Sequence, residues 1–256
     1  MREFRGVLLV GVISIASIGF AQVRSVADEM NIGLSLKAEF EQRVILNRDP
    51  AILALADRVG QILTRQSDAP FPVTFQVIDS SDINVFSLTG GFVYVTAAVI
   101  TAAGSEAEFA SALAYGVARY SPKLAQQSFG SILNLNGALL PDSAMQRGRV
   151  IIISPALNSG IPMQWAVRER AAVEKADLLA VQFLHNAGYD AAASVSFLQS
   201  VQARLTPVKT NQEFQTYPPL EDRIRKIQEW TRTKLPDRAE NALTTSEFEK
   251  VRRNLQ

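Results

Sequence analysis

Apolar residues recur at helical spacing over most of the chain, and the first such run extends from Ile32 to Leu63. Asp49 and Pro50 interrupt this run. An Asp before a Pro often starts a helix, because its carboxylate accepts unpaired backbone N–H groups and proline tolerates the first helical position. The pattern therefore predicts two helices that are separated near Asn47.

A different pattern begins after Pro70 and Pro72, where the sequence VTFQVIDSSDINVFSLTGGFVYVTAAVI is rich in β-branched and aromatic residues. Such residues favour strands, and the pair Gly90-Gly91 is typical of a turn between two strands. This region predicts a β-rich unit that leads into a helix.

Helical patterns account for most of the remaining chain. Ser105 followed by Glu108 forms a capping box, so a helix should begin at Glu106 and end near Tyr120. The pattern leaves residues 128–162 open between loop and short strand. Further helices are expected over residues 162–187, 191–205 and 220–231, and in a tail capped by Ser246 and Glu249. Together these elements predict a mostly helical α+β fold.

The N-terminal segment, residues 1–21, has the features of a secretory signal. Two arginines precede an apolar run over residues 6–20, and small residues stand at the expected cleavage site. A membrane anchor is the alternative, but this run is shorter than the roughly twenty residues that a spanning helix needs. We therefore predict export to the periplasm or the medium, cleavage after Ala21, a single domain over residues 22–256, and membrane contact only through the uncleaved signal.

The composition of the chain excludes cysteine chemistry and gives no support for binding to nucleic acid or anionic lipid. The chain has no cysteine, which excludes a disulfide framework, a thiolate nucleophile and a thiolate metal site. It has 26 basic and 25 acidic residues, and removal of residues 1–21 leaves equal numbers of the two. A mature chain without net charge offers no electrostatic basis for binding nucleic acid or anionic lipid, so neither is expected as a partner.

Four segments of the chain together resemble the motifs of a known family. They are, in this order, DSSDINVFSLTGGFVYVT, SEAEFASALAYGVAR, RAAVEKADLLAVQFLHNAGYD and FQTYPPLEDRI. They resemble the zinc metallopeptidases of family 48, which include CAAX prenyl proteases and quality-control proteases of envelopes and mitochondria. The resemblance covers nearly the whole mature chain. It implies a zincin-like scaffold with a small β-sheet and, for an intact member, zinc-dependent endopeptidase activity.

The chemistry of that family needs two histidines one helical turn apart, which share a Zn²⁺ ion. A glutamate between them activates the metal-bound water, and a later helix supplies a carboxylate ligand. The resemblance places Tyr115 and Arg119 at the histidine positions and Gly116 at the glutamate position. Val173 stands at the carboxylate position, and Tyr217 at a further histidine position. These side chains lack the donors of a neutral-pH zinc site, so no metal or other cofactor is expected.

Neighbouring residues do not restore the site. Glu174 follows the carboxylate position, but one step along a helix turns a side chain by about 100°. His185 is the only histidine, lies where the family has no ligand, and is expected to interact with the C-terminal end of its helix. A glycine inside a helix lowers helix stability by about 1 kcal/mol relative to alanine. We therefore expect that a tight packing contact at Gly116 leaves no space for a side chain.

Three polar residues allow more than one interpretation. Tyr115 and Arg119 could hold a carboxylate or carbonyl group of a bound peptide. The preferred interpretation is that they bond to each other or to neighbours in a closed cleft, because buried polar groups are usually hydrogen-bonded. Asp177 would orient a ligand histidine in an intact member, and here we expect it to form an ion pair with Arg119.

The segment around the glycine turn supplies candidate peptide-binding residues: Asn84, Phe86, Gly90, Gly91 and Phe92. They correspond to the family's cleft-edge strand, to which an extended substrate can add as a further strand. The alternative is that they form only a hairpin of the core sheet.

The sequence thus favours an exported pseudoprotease that binds peptides, unfolded envelope proteins or a partner through the former cleft. One alternative is an active zinc metalloendopeptidase with atypical ligands, which its metal content would reveal. Another is a structural subunit that partners an active relative. A filled cleft around Tyr115, Arg119 and Tyr217 would favour the structural subunit.

Overall fold

The structure, a computed structural model, describes residues 26–122, 163–204, 218–236 and 245–256. The predicted signal, the region 128–162 and Tyr217 lie outside the described residues. The bounds of the described helices and strands are α1 (Val26–Glu41), α2 (Pro50–Thr64), β1 (Thr74–Ile78), β2 (Val85–Leu88), β3 (Phe92–Thr96), α3 (Ala97–Ala102), α4 (Glu106–Ala118), α5 (Met163–Asn186), α6 (Ala193–Gln202), α7 (Leu220–Lys234) and α8 (Ser246–Leu255). The predicted mostly helical α+β fold with a small sheet is confirmed.

The sheet has the strand order β1-β3-β2. β1 runs parallel to β3 and β2 runs antiparallel to it, so β2 forms one edge of the described sheet. The turn between β2 and β3 contains Gly90 and Gly91, whose φ angles of 83° and 91° lie in the left-handed region that favours glycine. A Cβ atom on Gly91 would lie 2.2 Å from the carbonyl oxygen of Pro72. The predicted turn is confirmed, and Gly91 also has no space for a side chain.

The starts of α2 and α4 follow from the side chains that cap them. Asp49 accepts two backbone N–H groups at the start of α2, which confirms the break predicted near Asn47. Ser105 accepts the N–H of Glu108 and caps α4. The Glu108 carboxylate accepts the N–H of Gly104 instead of that of Ser105, so only half of the predicted capping box forms.

Other helix ends differ from the prediction by a few residues. The helix α4 ends at Ala118, two residues before Tyr120, and α7 continues to Lys234. The last helix is capped by Thr245 and not by Ser246, because the Thr245 hydroxyl accepts the N–H of Phe248. None of the described helices has both the length and the apolar character that a membrane span requires.

The helix α4 occupies the centre of the domain. All of its residues except Glu108 are buried, as expected for a helix that is apolar on every side. It packs on the sheet, on α5 and α6, and on α2. The segment that carries Tyr115 and Gly116 is therefore held rigidly between the sheet and the C-terminal helices.

A buried carboxylate fixes the first turn of α4. Glu106 is only 1% exposed, and it accepts two hydrogen bonds from Arg58, at 2.8 and 3.1 Å, and one from the Tyr189 hydroxyl at 2.7 Å. The Thr245 hydroxyl also donates to it. Burial alone would raise the pKa of Glu106, but the hydrogen bonds from Arg58, Thr245 and Tyr189 outweigh it and lower the pKa below 4.5. This Glu106 cluster joins α2, α4, the α5–α6 connection and the start of α8.

Candidate functional site

The second half of α4 carries three of the positions singled out by the sequence. Tyr115 and Arg119 lie one turn apart on the helix. Arg119 is the C-terminal cap, and its backbone N–H donates a hydrogen bond to the carbonyl oxygen of Tyr115. The Tyr115 side chain is buried and lies against α7, where the guanidinium carbon of Arg223 is 5.4 Å from the ring centroid. An arginine over an aromatic face is an attractive contact that strengthens when water is excluded.

Arg223 also binds Asp177, and this contradicts the predicted ion pair between Asp177 and Arg119. Both oxygens of the Asp177 carboxylate accept hydrogen bonds from Arg223, at 2.7 and 2.8 Å. The two side chains are 5% and 3% exposed. The planar guanidinium group matches a carboxylate through two parallel hydrogen bonds, and α7 brings Arg223 directly beside α5. Tyr115, Arg223 and Asp177 therefore form one buried stack, which we call the Tyr–Arg–Asp stack.

Gly116 packs directly on the sheet. A Cβ atom at this position would lie 2.9 Å from Cγ1 of Val93 and 3.1 Å from Cγ1 of Val85. The Ser87 hydroxyl also donates a 2.9 Å hydrogen bond to the Gly116 carbonyl oxygen. The predicted tight packing contact is confirmed, and no space exists here for the carboxylate that the family uses as its base.

The carboxylate position on α5 and the nearby ionisable residues do not supply zinc ligands. Val173 is fully buried in the hydrophobic core. Glu174 turns outward and binds Lys226 at 2.5 Å, as the helical rotation predicts. His185 lies buried in the last turn of α5. The donors present thus do not fit a zinc site, and the described residues contain no group of three His, Asp or Glu side chains placed to hold a metal ion.

The five peptide-binding candidates all lie on or beside the β2–β3 hairpin. Asn84 precedes β2 and its side-chain oxygen accepts the N–H of Val85. Phe86 packs on the far face of the sheet against Phe40, at a centroid distance of 5.4 Å. Gly90 and Gly91 form the turn, and Phe92 begins β3. The structure therefore groups these residues, and their role in binding stays a prediction.

Among the described residues, no strand pairs with the outer edge of β2. The N–H of Thr96 donates to the carbonyl oxygen of Asn84, so these two residues form a hydrogen-bonded pair of the antiparallel ladder. Alternation then turns the N–H of Ser87 and the carbonyl groups of Val85 and Ser87 away from β3. Reasoning from the sequence did not single out Ser87, because a serine between two apolar neighbours is ordinary in a strand.

A cavity lies between the start of β2 and helices α3 to α7. Its volume is about 40 Å³, which is room for about three water molecules. All three members of the Tyr–Arg–Asp stack line it, together with Ser111 and Ser194. Every described residue that lines the cavity is buried. The described part of the former cleft that borders this cavity is thus filled by buried side chains.

Comparison with known proteins identifies the family of this chain. The sequence profile described as Peptidase family M48 matches residues 53–231, which include the sheet, α4, α5 and most of α7. A Vibrio cholerae serotype O1 protein, named as a beta-barrel assembly-enhancing protease, is 28% identical over 158 residues. That match covers 58% of this chain and 32% of the relative, so the chain corresponds to about a third of the relative's length. Since the family profile covers well over half of the sequence, the chain belongs to peptidase family M48.

Proposed function

We propose that this chain is a catalytically inactive member of the family, with a zincin-like scaffold, that binds extended segments of peptides or unfolded envelope proteins. One observation carries the proposal: the Tyr115 ring, at a histidine position of the family, packs against Arg223, and the sheet closes on Gly116 where the base would project. Hydrolysis needs a polarised water and a base beside it, and neither group has a place here.

The open edge of β2 supports the binding part of the proposal. An added strand gains affinity from backbone hydrogen bonds, and Ser87 and Val85 offer one N–H and two carbonyl groups for them. These groups do not depend on metal or on the lost histidines. The predicted secretory signal and the envelope-related name of the relative support a periplasmic or secreted location.

Metal content and hydrolysis test the inactive assignment. The purified mature protein is dialysed against zinc and measured for bound zinc, and casein hydrolysis is followed with and without a chelator. We expect neither bound zinc nor chelator-sensitive hydrolysis. Near-stoichiometric zinc together with chelator-sensitive hydrolysis would overturn the assignment in favour of an active metalloendopeptidase with atypical ligands.

Replacement of Ser87 by proline tests the binding edge. Proline removes the outward N–H and blocks strand addition, whereas an edge strand tolerates it because no ladder bond of β3 is lost. We expect Ser87→Pro to weaken binding of fluorescently labelled casein at least tenfold. The matched control is Ser87→Ala, which removes the hydrogen bond to Gly116 but keeps the backbone N–H. Equal binding by both variants would exclude the β2 edge as the binding site.

The filled cleft also favours a second candidate, a structural subunit that partners an active relative. A structural subunit needs no peptide binding at β2, and the small volume of the cavity is consistent with that role. Absence of casein binding by the unmodified protein, together with a stable complex with an active family member, would favour this candidate.

A further inference from the structure

The helix α8 is held to the domain by few buried side chains. Its two buried residues are Phe248 and Val251, and the Phe248 ring stacks on Phe109 at a centroid distance of 6.1 Å. In α4, by contrast, every residue except Glu108 is buried. Elements with few buried apolar contacts open at a lower free energy than the core does. Since α8 also lies outside residues 53–231, which the family profile matches, membership of the family does not account for its docking.

Polar contacts complete the docking of α8, and those at its start need an ionised carboxylate. The Thr245 hydroxyl, which also caps α8, donates a hydrogen bond to Glu106. Arg58 binds Glu106 and, at 2.7 Å, also Glu247 in the first turn of α8. Further along the helix, Arg252 donates to two backbone carbonyl groups between α3 and α4. Acid can therefore weaken the start of α8 without changing the contact of Arg252.

Groups from three neighbouring elements face Glu106. Arg58 donates from α2, Tyr189 from the α5–α6 connection and Thr245 from the start of α8. Glu247 is the second carboxylate on Arg58, and α3, which packs beside α8, has no titratable side chain. When Glu106 takes up a proton, Arg58 loses its buried counterion and the Thr245 hydroxyl loses a charged acceptor.

Proton uptake by Glu106 and the docking of α8 oppose each other. Burial raises the pKa of Glu106, but its three hydrogen-bond donors outweigh burial and lower the pKa below 4.5. Detachment of α8 removes the donor Thr245 and therefore raises the pKa. By linkage, the docking of α8 is strongest above pH 4.5 and weakens as the pH falls through the pKa of the docked state.

We propose that α8 is an acid-released cover: proton uptake by Glu106 detaches it, while α2, α4 and the sheet stay folded. Release exposes the apolar surface under Phe248 and Val251 to solvent. It requires no bound peptide, so it is independent of the proposed function. A hydrogen bond to a charged group stabilises by an amount that corresponds to about tenfold or more in an equilibrium constant. Loss of the bond from Thr245 should therefore shift the docking of α8 at least about tenfold.

Cysteine labelling measures the release, because the chain contains no cysteine of its own. Val251→Cys places a thiol under α8, and Val117→Cys places one in the buried core of α4. Lys250→Cys, at an exposed position of α8, gives the labelling rate of an unprotected thiol at each pH. The reagent is dithiodipyridine, which reacts with thiols in acid as well as at neutral pH. The protection of a buried thiol is the ratio of the exposed rate to its own rate.

We expect the protection of the Val251→Cys thiol to fall at least about tenfold in acid, while the Val117→Cys thiol stays protected. Glu106→Gln removes the titrating group, so it should expose the Val251→Cys thiol already at neutral pH and remove most of the pH dependence. Thr245→Val removes the donor on the α8 side and should expose the same thiol. Its matched control is Thr245→Ser, which keeps the hydroxyl and should keep the protection.

Loss of protection at both buried thiols at the same pH would overturn the proposal, because it would report acid unfolding of the whole domain. Protection of the Val251→Cys thiol that persists in acid, or in the Thr245→Val variant, would also overturn it, since α8 would then be held without Glu106. If Glu106→Gln does not fold, the Val117→Cys thiol is labelled at neutral pH, and the two Thr245 variants decide.

Discussion

Removal of one partner from the Arg223–Asp177 pair should destabilise the protein strongly, because both side chains are buried. Replacement of Arg223 by methionine keeps most of the side-chain volume and removes the charge. Asp177 then remains 5% exposed without its two hydrogen bonds of 2.7 and 2.8 Å. Removal of one partner of a buried pair costs about 3–5 kcal/mol, so we expect the free energy of unfolding to fall by that amount.

Two further variants show whether the loss comes from the buried charge. Arg225→Met removes an exposed arginine of the same helix whose partner is Asp222, so it should leave the free energy of unfolding nearly unchanged. The double variant Asp177→Leu with Arg223→Met removes both charges and should recover most of the stability, because apolar replacement of a whole buried pair is often nearly neutral. The coupling energy between the two sites should exceed about 2 kcal/mol.

Chemical denaturation followed by far-ultraviolet circular dichroism measures these free energies. The comparison requires equal m values, since a changed m value reports a change in the denatured or native ensemble. The reasoning is refuted if Arg223→Met costs no more than Arg225→Met. It is also refuted if the double variant is destabilised by the sum of the two single changes.

Two other perturbations follow from the packing and the charges. Gly116→Ala should lower the free energy of unfolding by about 1 kcal/mol in the same assay, because the clash with Val93 outweighs the better helix propensity of alanine; a stabilised variant would contradict the close contact. The lowered pKa of Glu106 contributes stability that is fully present above pH 4.5 and is lost as the pH falls through the pKa of the folded state. Glu106→Gln should therefore flatten the acid side of the plot of unfolding free energy against pH, and an unchanged slope in that plot would contradict the sign of the shift.

Features that depend on neighbouring residues could be predicted from the sequence. Asp49 and Ser105 cap their helices as predicted, because a cap involves only the first turn that follows it. The last helix shows the limit of this reasoning. Thr245 and Ser246 are both suitable caps, and the hydrogen bond from Thr245 to a carboxylate 139 residues away decides between them.

The same limit applies to the candidate site. The absence of histidine and glutamate from α4 could be recognised from the spacing alone. The partner of Asp177 could not, because Arg223 lies 46 residues further along the chain and only the packing of α7 on α5 brings the two together. The resemblance placed Arg119 at the position of a histidine that Asp177 would orient, and the fold brings a different arginine to Asp177.

The Glu106 cluster affects when the protein can complete its folding during synthesis or export. Glu106, the acceptor of the cluster, lies on α4, and its donor Thr245 lies 139 residues further along the chain. Glu247 binds Arg58 of the same cluster, and these two residues are 189 residues apart. A chain that emerges from a ribosome or an export channel from its N-terminus can form α2 and α4 early. It cannot complete this buried network until residues 245–247 have emerged as well. Contacts of such sequence separation form late because of the loop-closure entropy, so the domain should reach its native stability only after nearly all of it has been released.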